Sequence, residues 1–340
     1  MKTCDFNYHL PKELIAQHPA NPRDSSRLLI FEKRTGKVDH KIFRELPEVL
    51  QAGDVLVLNE SKVIPARLQT QDGREVFLTR RVDSSSCREV NVWRCLVRGG
   101  KYFRAGDDFK IGECFSGEVL KVLEGGERVV RFHSQNFEKD LQRFGASPLP
   151  PYIHQSQKKV PQYQTTFAKR DGSVAAPTAG LHFTPRIFKK LLEKQITVEK
   201  ITLHVGLGTF APVKTETVEN HKMHSEFFIL PQETAERLNK AKQAGQRIIA
   251  VGSTSCRVLE SCASKTGNLI PQSGETSIFM YPGYEFEFIS GMLTNFHLPK
   301  STLIMLVAAL VGREKIIELY EIAKQKNYRF YSFGDAMLLV

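Results

Sequence analysis

Six cysteines, Cys4, Cys87, Cys95, Cys114, Cys256 and Cys262, are scattered through 340 residues without one Cys-x-x-Cys pair. Neither a zinc ribbon nor a disulfide framework is indicated, and reduced thiols in a cytoplasm are the expected state. Long apolar runs are missing too. The greasiest stretch, Leu303 to Val311, is too short to span a bilayer, and Met1-Lys2-Thr3-Cys4-Asp5-Phe6 has no apolar signal core. The expectation is a cytoplasmic chain with no membrane role. Gly206-x-Gly208 lacks the third glycine and the following helix of a dinucleotide fingerprint. No internal repeat or low-complexity segment occurs.

What is present begins with size and charge. A chain of this length with 41% hydrophobic residues can bury a sizeable core without staples, and two domains are expected. Forty-eight Lys and Arg against 37 Asp and Glu give a formal net charge of +11. Such an excess favours a polyanionic partner, nucleic acid first.

Two rhythms divide the chain. Residues from about 75 to 133 alternate at period two through Glu75-Val76-Phe77-Leu78, Val90 to Val97, Glu118 to Leu123 and Arg128 to Phe132, with a turn at Glu124 to Glu127. This predicts a small antiparallel β-barrel. The prolines of Pro148-Leu149-Pro150-Pro151-Tyr152 stiffen the chain and mark its end.

Downstream, helices alternate with strands. Thr184 caps a helix with Pro185 in its first position, and a strand follows from Ile196 to Leu203. Pro231 to Ala244 reads as a helix stopped by Gly245, and Arg247 to Val251 as a buried strand leading into Gly252. Ser301 caps an apolar helix over Thr302 to Val311, interrupted by Gly312, and Tyr328 to Tyr331 begins a last strand. The N-terminal segment supplies short strands at Leu28 to Phe31 and Asp54 to Leu58 but too little chain for its own core. The fold class is therefore α/β: a discontinuous α/β domain, 1–68 and 148–340, with an inserted β-barrel domain, 69–147.

Chemistry concentrates in two segments rich in small residues, hydroxyls and histidine: Gly172 to Thr184, containing Thr178, Gly180 and His182, and Leu203 to Phe210, containing His204. Small residues let a backbone approach a ligand, and a neutral imidazole can move protons near pH 7. Each stretch alone also fits an ordinary turn with a core histidine. Together they predict the walls of one pocket. Gly252-Ser253-Thr254-Ser255, a turn before a helix opening near Cys256-Arg257, places N–H groups and hydroxyls at a strand's carboxyl end, where an anion fits and Arg257 can pair with it. An ordinary βα turn has the same pattern.

His221 and His224, at helical i,i+3 spacing, could hold a metal with Glu226, but the spacing is not a strong metal signature and an acid/base pair is preferred. His297, after Asn295-Phe296, sets an imidazole beside apolar residues. In the β block, Arg94, Arg98, Lys101 and Arg104 interleave with Trp93, Tyr102 and Phe103, the mixture that contacts phosphates and stacks on bases. Fifteen basic against twelve acidic residues between Arg67 and Arg143 make this no exceptional patch.

Several blocks pass from generic to specific. Asp5-Phe6 with Leu14 to Gln17, Arg23 with Arg27-Leu28-Leu29, Pro65 to Leu68, Pro148 to Ile153, Tyr163-Gln164-Thr165, Val174 to Phe183 and Leu203 to Phe210 stand in one order. Met223 to Glu226, Ala250 to Gly252 with Thr254-Ser255, Tyr281-Pro282-Gly283, Thr294 to Pro299 and Gly334 to Met337 come after them. Over nearly the whole chain they resemble the S-adenosylmethionine:tRNA ribosyltransferase-isomerase family of queuosine synthesis.

The resemblance implies a two-domain enzyme acting on tRNA. It would move and isomerise the ribosyl part of S-adenosylmethionine onto 7-aminomethyl-7-deazaguanine at the wobble position, releasing adenine and methionine. No metal and no cofactor beyond S-adenosylmethionine as co-substrate would be needed, and a monomer is expected. Proton transfer would fall to His182, His204, His224 and Glu226. Thr178, Gly180, Gly252, Ser253, Thr254, Ser255, Arg257, Asn295 and His297 would bind the donor, and Arg23, Arg27, Arg67, Arg94, Arg98, Lys101 and Arg104 the tRNA.

Four positions depart from the family's usual pattern. Ser277 and Ser290 stand where aspartate is common, Glu60 replaces asparagine and Ser253 replaces threonine, so no indispensable carboxylate is expected at 277 or 290. A non-catalytic RNA-binding protein and a metal-dependent hydrolase are the rival classes.

Overall fold

The computed structural model describes residues 1–82, 91–150, 152–153, 163–206 and 213–340. The chain divides into two units: residues 1–61, 162–170 and 176–340, and residues 62–161 with 171–175.

In the first unit Val55–Asn59 is buried at every position, as a strand is when parallel neighbours flank it and both sheet faces are covered. It lies within a nine-stranded sheet of order Gln272–Thr276, Glu226–Leu230, Thr197–Leu203, Val55–Asn59, Ile248–Val251, Gly291–Asn295, Ala336–Leu339, Arg27–Phe31, Val38–Ile42. The central four, from Thr197–Leu203 to Gly291–Asn295, are parallel. Ala336–Leu339 and Glu226–Leu230 run antiparallel to them. One edge therefore collects the segments after Leu203, Asn59, Val251 and Asn295 and those before Ala336 and Glu226. In open α/β sheets that carboxyl edge is where ligands bind.

The expected helices form for the expected reasons. Thr184 accepts the Ile187 N–H at the start of Pro185–Glu193, and that helix buries Ile187 and Leu191 against Leu56, Leu58, Ile249 and Leu338. Ser301 caps Thr302–Val311 through Ile304 N–H, and Gly312, at φ 92°, ends it in a conformation that favours glycine. No helix among the described residues is long and apolar enough to cross a membrane.

Three local expectations are corrected. Tyr328 to Tyr331 starts no strand: Phe330 makes a single bridge to Ile15, Tyr331 has φ 72°, and the last strand begins at Ala336. His221 and His224 are not on a helix, because a short turn ends at Asn220 and the chain extends through His221 toward the strand at Glu226. The Gly252 to Ser255 segment is no loop before a helix; the helix Gly252–Cys262 begins at Gly252 itself.

The second unit is an antiparallel sheet of seven strands, ordered Gly145–Ala146, Arg67–Gln69, Glu75–Arg81, Val92–Val97, Arg128–His133, Ser116–Val122, Asp108–Lys110. It curls into a half-barrel, with Gln71 N–H donating to Lys110 C=O across the gap at 2.8 Å. The unit extends beyond 69–147 because Arg67–Gln69 pairs with both Glu75–Arg81 and Gly145–Ala146. Its core is aromatic. Trp93 stacks on Phe137, while Phe103, Phe109, Phe115 and Phe132 pack edge to face or tilted.

Candidate active site at the carboxyl edge of the large sheet

Asn295, at the end of its strand, donates from Nδ2 to the Asp335 carbonyl at 3.3 Å and meets His182 Nε2 at 3.1 Å. Its Oδ1 accepts from Thr178 Oγ1 at 2.9 Å. The opposite side of His182 faces Ser26 Oγ at 2.8 Å, and Phe43 stacks on the ring. Burial, then the charges of Arg329 and Arg23, push the His182 pKa down to about 3. The ring is neutral at physiological pH and both nitrogens are engaged. It acts as a fixed hydrogen-bonding post for Asn295. Gly180 is held by packing, since a Cβ there would meet the Phe167 ring at 2.8 Å.

His297 lies apart from this cluster. Its Nε2 bonds Thr294 Oγ1 at 2.9 Å, its N–H donates to Tyr320 Oη and its carbonyl accepts from Tyr8. Burial alone pushes its pKa down to about 3. These bonds anchor the start of the last helical pair rather than form a donor-binding surface.

Asn59 and Ser61 were not anticipated as site residues. Asn59 Oδ1 accepts from Ser61 N–H and Leu203 N–H, each at 3.0 Å, and its Nδ2 donates to the Leu203 carbonyl at 2.9 Å. One amide thus ties two strand ends together. Ser61 Oγ then sits 2.7 Å from His204 Nδ1, and the half-buried imidazole stacks on Phe227. Their position at and just past the end of a buried parallel strand was the available signal.

Glu226 and Arg257 form a buried ion pair, both 5% exposed. Gly206 N–H donates to the other Glu226 oxygen at 2.7 Å, and Arg257 Nη2 donates to the Thr276 carbonyl at 3.1 Å. Arg257 therefore carries Glu226 as its anion, which corrects its reading as a group free to pair with a ligand carboxylate. Leu207 to Phe210, with Gly208, lie outside the described residues, as do Val90, Cys87 and Pro151.

A partly open cleft borders this pair. His221, His224, Ser253 and Thr254 supply its polar lining and Met223, Ile278, Phe279, Met280, Leu303 and Leu306 its apolar lining. The Thr254 hydroxyl and the Arg257 Nε are buried without a partner among the described residues. Ser255 is fully buried and does not line the cleft. Burial and the neighbouring His224 hold the His221 pKa below its usual value. Among the described residues no three His, Cys, Asp or Glu are grouped as metal ligands would be.

The basic residues divide. Arg23 donates to the Gln164 carbonyl at 2.6 Å, and Arg27 lies 3.8 Å over the Tyr328 ring while bonding the Lys326 carbonyl. Both have structural work. In the second unit Arg67 and Arg94 lie within 4.0 Å of Glu75 and Glu127, whereas Arg98, Lys101 and Arg104 are exposed. Trp93 and Phe103 are core residues, which corrects their reading as base-stacking groups; Tyr102 is 52% exposed. Among the departures, Ser290 bonds Ile248 at the opposite, amino edge of the sheet, Ser277 is exposed, and Glu60 pairs with Arg170.

Polar groups drawn from separate strand ends to one edge, beside a cleft with unpartnered buried donors, define an α/β protein with the arrangement of an enzyme. The chain belongs to the queuosine biosynthesis protein family, whose model matches residues 3–339. It is 50% identical over 347 residues to the S-adenosylmethionine:tRNA ribosyltransferase-isomerase of Desulfitobacterium hafniense, with all of both chains covered. The Clostridioides difficile protein of that name is 47% identical over 346 residues, again with full coverage. The crystal structure of S-adenosylmethionine tRNA ribosyltransferase from Thermotoga maritima is 36% identical, with a TM-score of 0.56, covering 99% of this chain and 100% of that one.

Proposed function

We propose that this chain is an S-adenosylmethionine:tRNA ribosyltransferase-isomerase. It transfers and isomerises the ribosyl moiety of S-adenosylmethionine onto 7-aminomethyl-7-deazaguanine at the wobble position of tRNA, yielding epoxyqueuosine-tRNA, adenine and methionine. The carrying observation is full-length identity of 50% to a relative of that name. Convergence of Glu226, His204, Gly252 and Asn295 on one sheet edge supports it. Among the described residues the large exposed apolar side chains Met1, Leu96, Tyr102, Val122, Leu192 and Ile270 lie on separate elements, which supports a monomer.

The sulfonium acidifies the adjacent ribose CH₂, so a base removes a proton there. Adenine leaves the anomeric carbon with the C–N electron pair and takes up a proton, and the neutral aminomethyl nitrogen bonds that carbon and loses one. The ring oxygen then releases the same carbon, the carbanion on the former CH₂ carbon closes a C–C bond to it, and the freed oxygen displaces methionine to close the epoxide. The steps need a base near the sulfonium and a hydrogen-bond donor or acid near the departing purine. In this reading His204, His224 and Glu226 serve them, Glu226 while held by Arg257 and Gly206. His182 acts through Asn295, which with Thr178 faces the nucleoside. In this reading the N–H groups of the helix start at Gly252 to Thr254 bind the methionyl carboxylate, and the unpartnered Thr254 hydroxyl supports the assignment.

Incubation of purified protein with S-adenosylmethionine and tRNA bearing the aminomethyl-deazaguanine tests this. Adenine and methionine are expected in equal amounts. Their absence overturns the reaction assigned, and tRNA binding without donor consumption leaves an RNA-binding protein instead.

A further inference from the structure

We infer that Ser61 is a positioning residue that fixes His204 as a neutral imidazole with its proton on Nε2. The inference rests on the proposed reaction and names the role of one of its groups. His204 is then a hydrogen-bond donor toward the departing purine, and the proton from the ribose CH₂ goes to the His224/Glu226 pair.

Ser61 is 0% exposed, and its hydroxyl has one partner among the described residues, His204 Nδ1 at 2.7 Å. A buried hydroxyl proton without an acceptor costs about 1–3 kcal/mol. The hydroxyl therefore donates, Nδ1 accepts, and a neutral ring must carry its proton on Nε2. Protonating the ring would put a second proton between Nδ1 and Oγ and leave the serine proton stranded. Ser61 thereby opposes the imidazolium as well as selecting the tautomer.

Geometry holds Ser61 in place independently of its hydroxyl. Its N–H is bonded by Asn59 Oδ1, the same oxygen that binds Leu203 N–H next to His204. Serine and histidine are thus referenced to one amide. Stacking on Phe227 at 6.0 Å between centroids, with 18° between planes, leaves the ring little freedom to turn. A neutral imidazole N–H is a hydrogen-bond donor rather than a base, as in enzymes that polarise a substrate atom with an uncharged histidine.

Nitrogen-15 histidine NMR of the full chain reads the tautomer directly: a protonated Nε2 and an unprotonated Nδ1 are expected for His204, and the reverse assignment overturns the inference. Kinetics supply the second arm. His204→Ala is expected to lower kcat about a hundredfold and Ser61→Ala about tenfold, with the KM for S-adenosylmethionine held within about twofold. Ser61→Ala should also bring a new acidic limb into the pH profile of kcat, because the freed Nδ1 can take a proton. Ser61→Thr, which keeps the hydroxyl, should restore the wild-type profile. A His204→Ala enzyme at full rate overturns the reading of the site. An impaired His204→Ala beside a Ser61→Ala with unchanged rate and profile overturns the inference alone. If the Ser61 variants do not fold, the wild-type NMR assignment decides.

Discussion

Arg257 donates one guanidinium nitrogen to Glu226 where both side chains are 5% exposed, and Gly206 N–H takes the second carboxylate oxygen. The pair closes one wall of the cleft with no net charge. A group whose charge is needed for binding would be left open; this one is already satisfied. Its first task is to hold Glu226 and the Gly206 backbone in register.

Removing one member of a buried ion pair strands the other charge and costs about 3–5 kcal/mol. Arg257→Ala should therefore lower the unfolding free energy by an amount of that order, read as a lower urea midpoint at unchanged m. The Glu226→Ala/Arg257→Ala double variant should lose less than the two single losses added. Strict additivity in that cycle would show that the pair is not coupled.

The two deeply buried imidazoles make stability depend on pH. His182 and His297 are each pushed down to about 3, against about 6.5 for an unfolded histidine. Between those values the unfolded chain binds more protons than the folded one, so stability rises with pH and is lost as pH falls below 6.5. From pH 6.5 to pH 5 each ring should cost about 2 kcal/mol. His297→Gln should flatten the curve of unfolding free energy in that window; an unchanged slope would mean that His297 is not held neutral.

Gly334 precedes the buried Asp335, whose carboxylate accepts the N–H groups of Arg27 and Arg329. A Cβ at 334 would lie 2.4 Å from the Arg329 carbonyl oxygen and 2.6 Å from the Phe330 carbonyl carbon, both backbone atoms that cannot swing away. Gly334→Ala should cost about 1–3 kcal/mol by overpacking. Gly36→Ala, with nothing within 4 Å but φ at +71°, should cost about 1 kcal/mol or less. Equal denaturant midpoints for the two would contradict the close approach.

Much of this was legible because it rests on local rules. Thr184 and Ser301 cap their helices as their sequence positions predict, and the apolar run ending at Asn59 became a buried parallel strand. Strand ends in a parallel sheet share an edge, so His204, Gly252 and Asn295, each at or just past a strand's end, could be expected to share one. What was not legible depends on tertiary choice. Period-two alternation shows that Trp93 has one face in a core but not that Phe103, in the following loop, turns into the same core. Arg257 next to a glycine-rich turn looks like an anion ligand until Glu226, from another strand, is placed against it. The link from Asn59 through Ser61 to His204 ties the ends of two neighbouring parallel strands, Val55–Asn59 and Thr197–Leu203, and only their pairing reveals it.

The second unit offers the test of RNA contact. Arg98, Lys101 and Arg104 are exposed, while Arg94 lies 4.0 Å from Glu127. Each phosphate contact releases counterions, so alanine at each of the exposed three should reduce the slope of log affinity against log salt by about 1, and Arg94→Ala by less. Tyr102 is 52% exposed, with Lys101 Nζ 4.8 Å and Arg74 Cζ 5.1 Å from its ring centre. If an unpaired base stacks there, Tyr102→Ala should weaken tRNA binding by about 1–3 kcal/mol with the salt slope unchanged. Trp93→Ala, which empties the aromatic core, should instead lower the melting temperature. Slopes and affinities that stay at wild-type values across Arg98, Lys101, Tyr102 and Arg104 variants would move the RNA surface away from this face of the half-barrel.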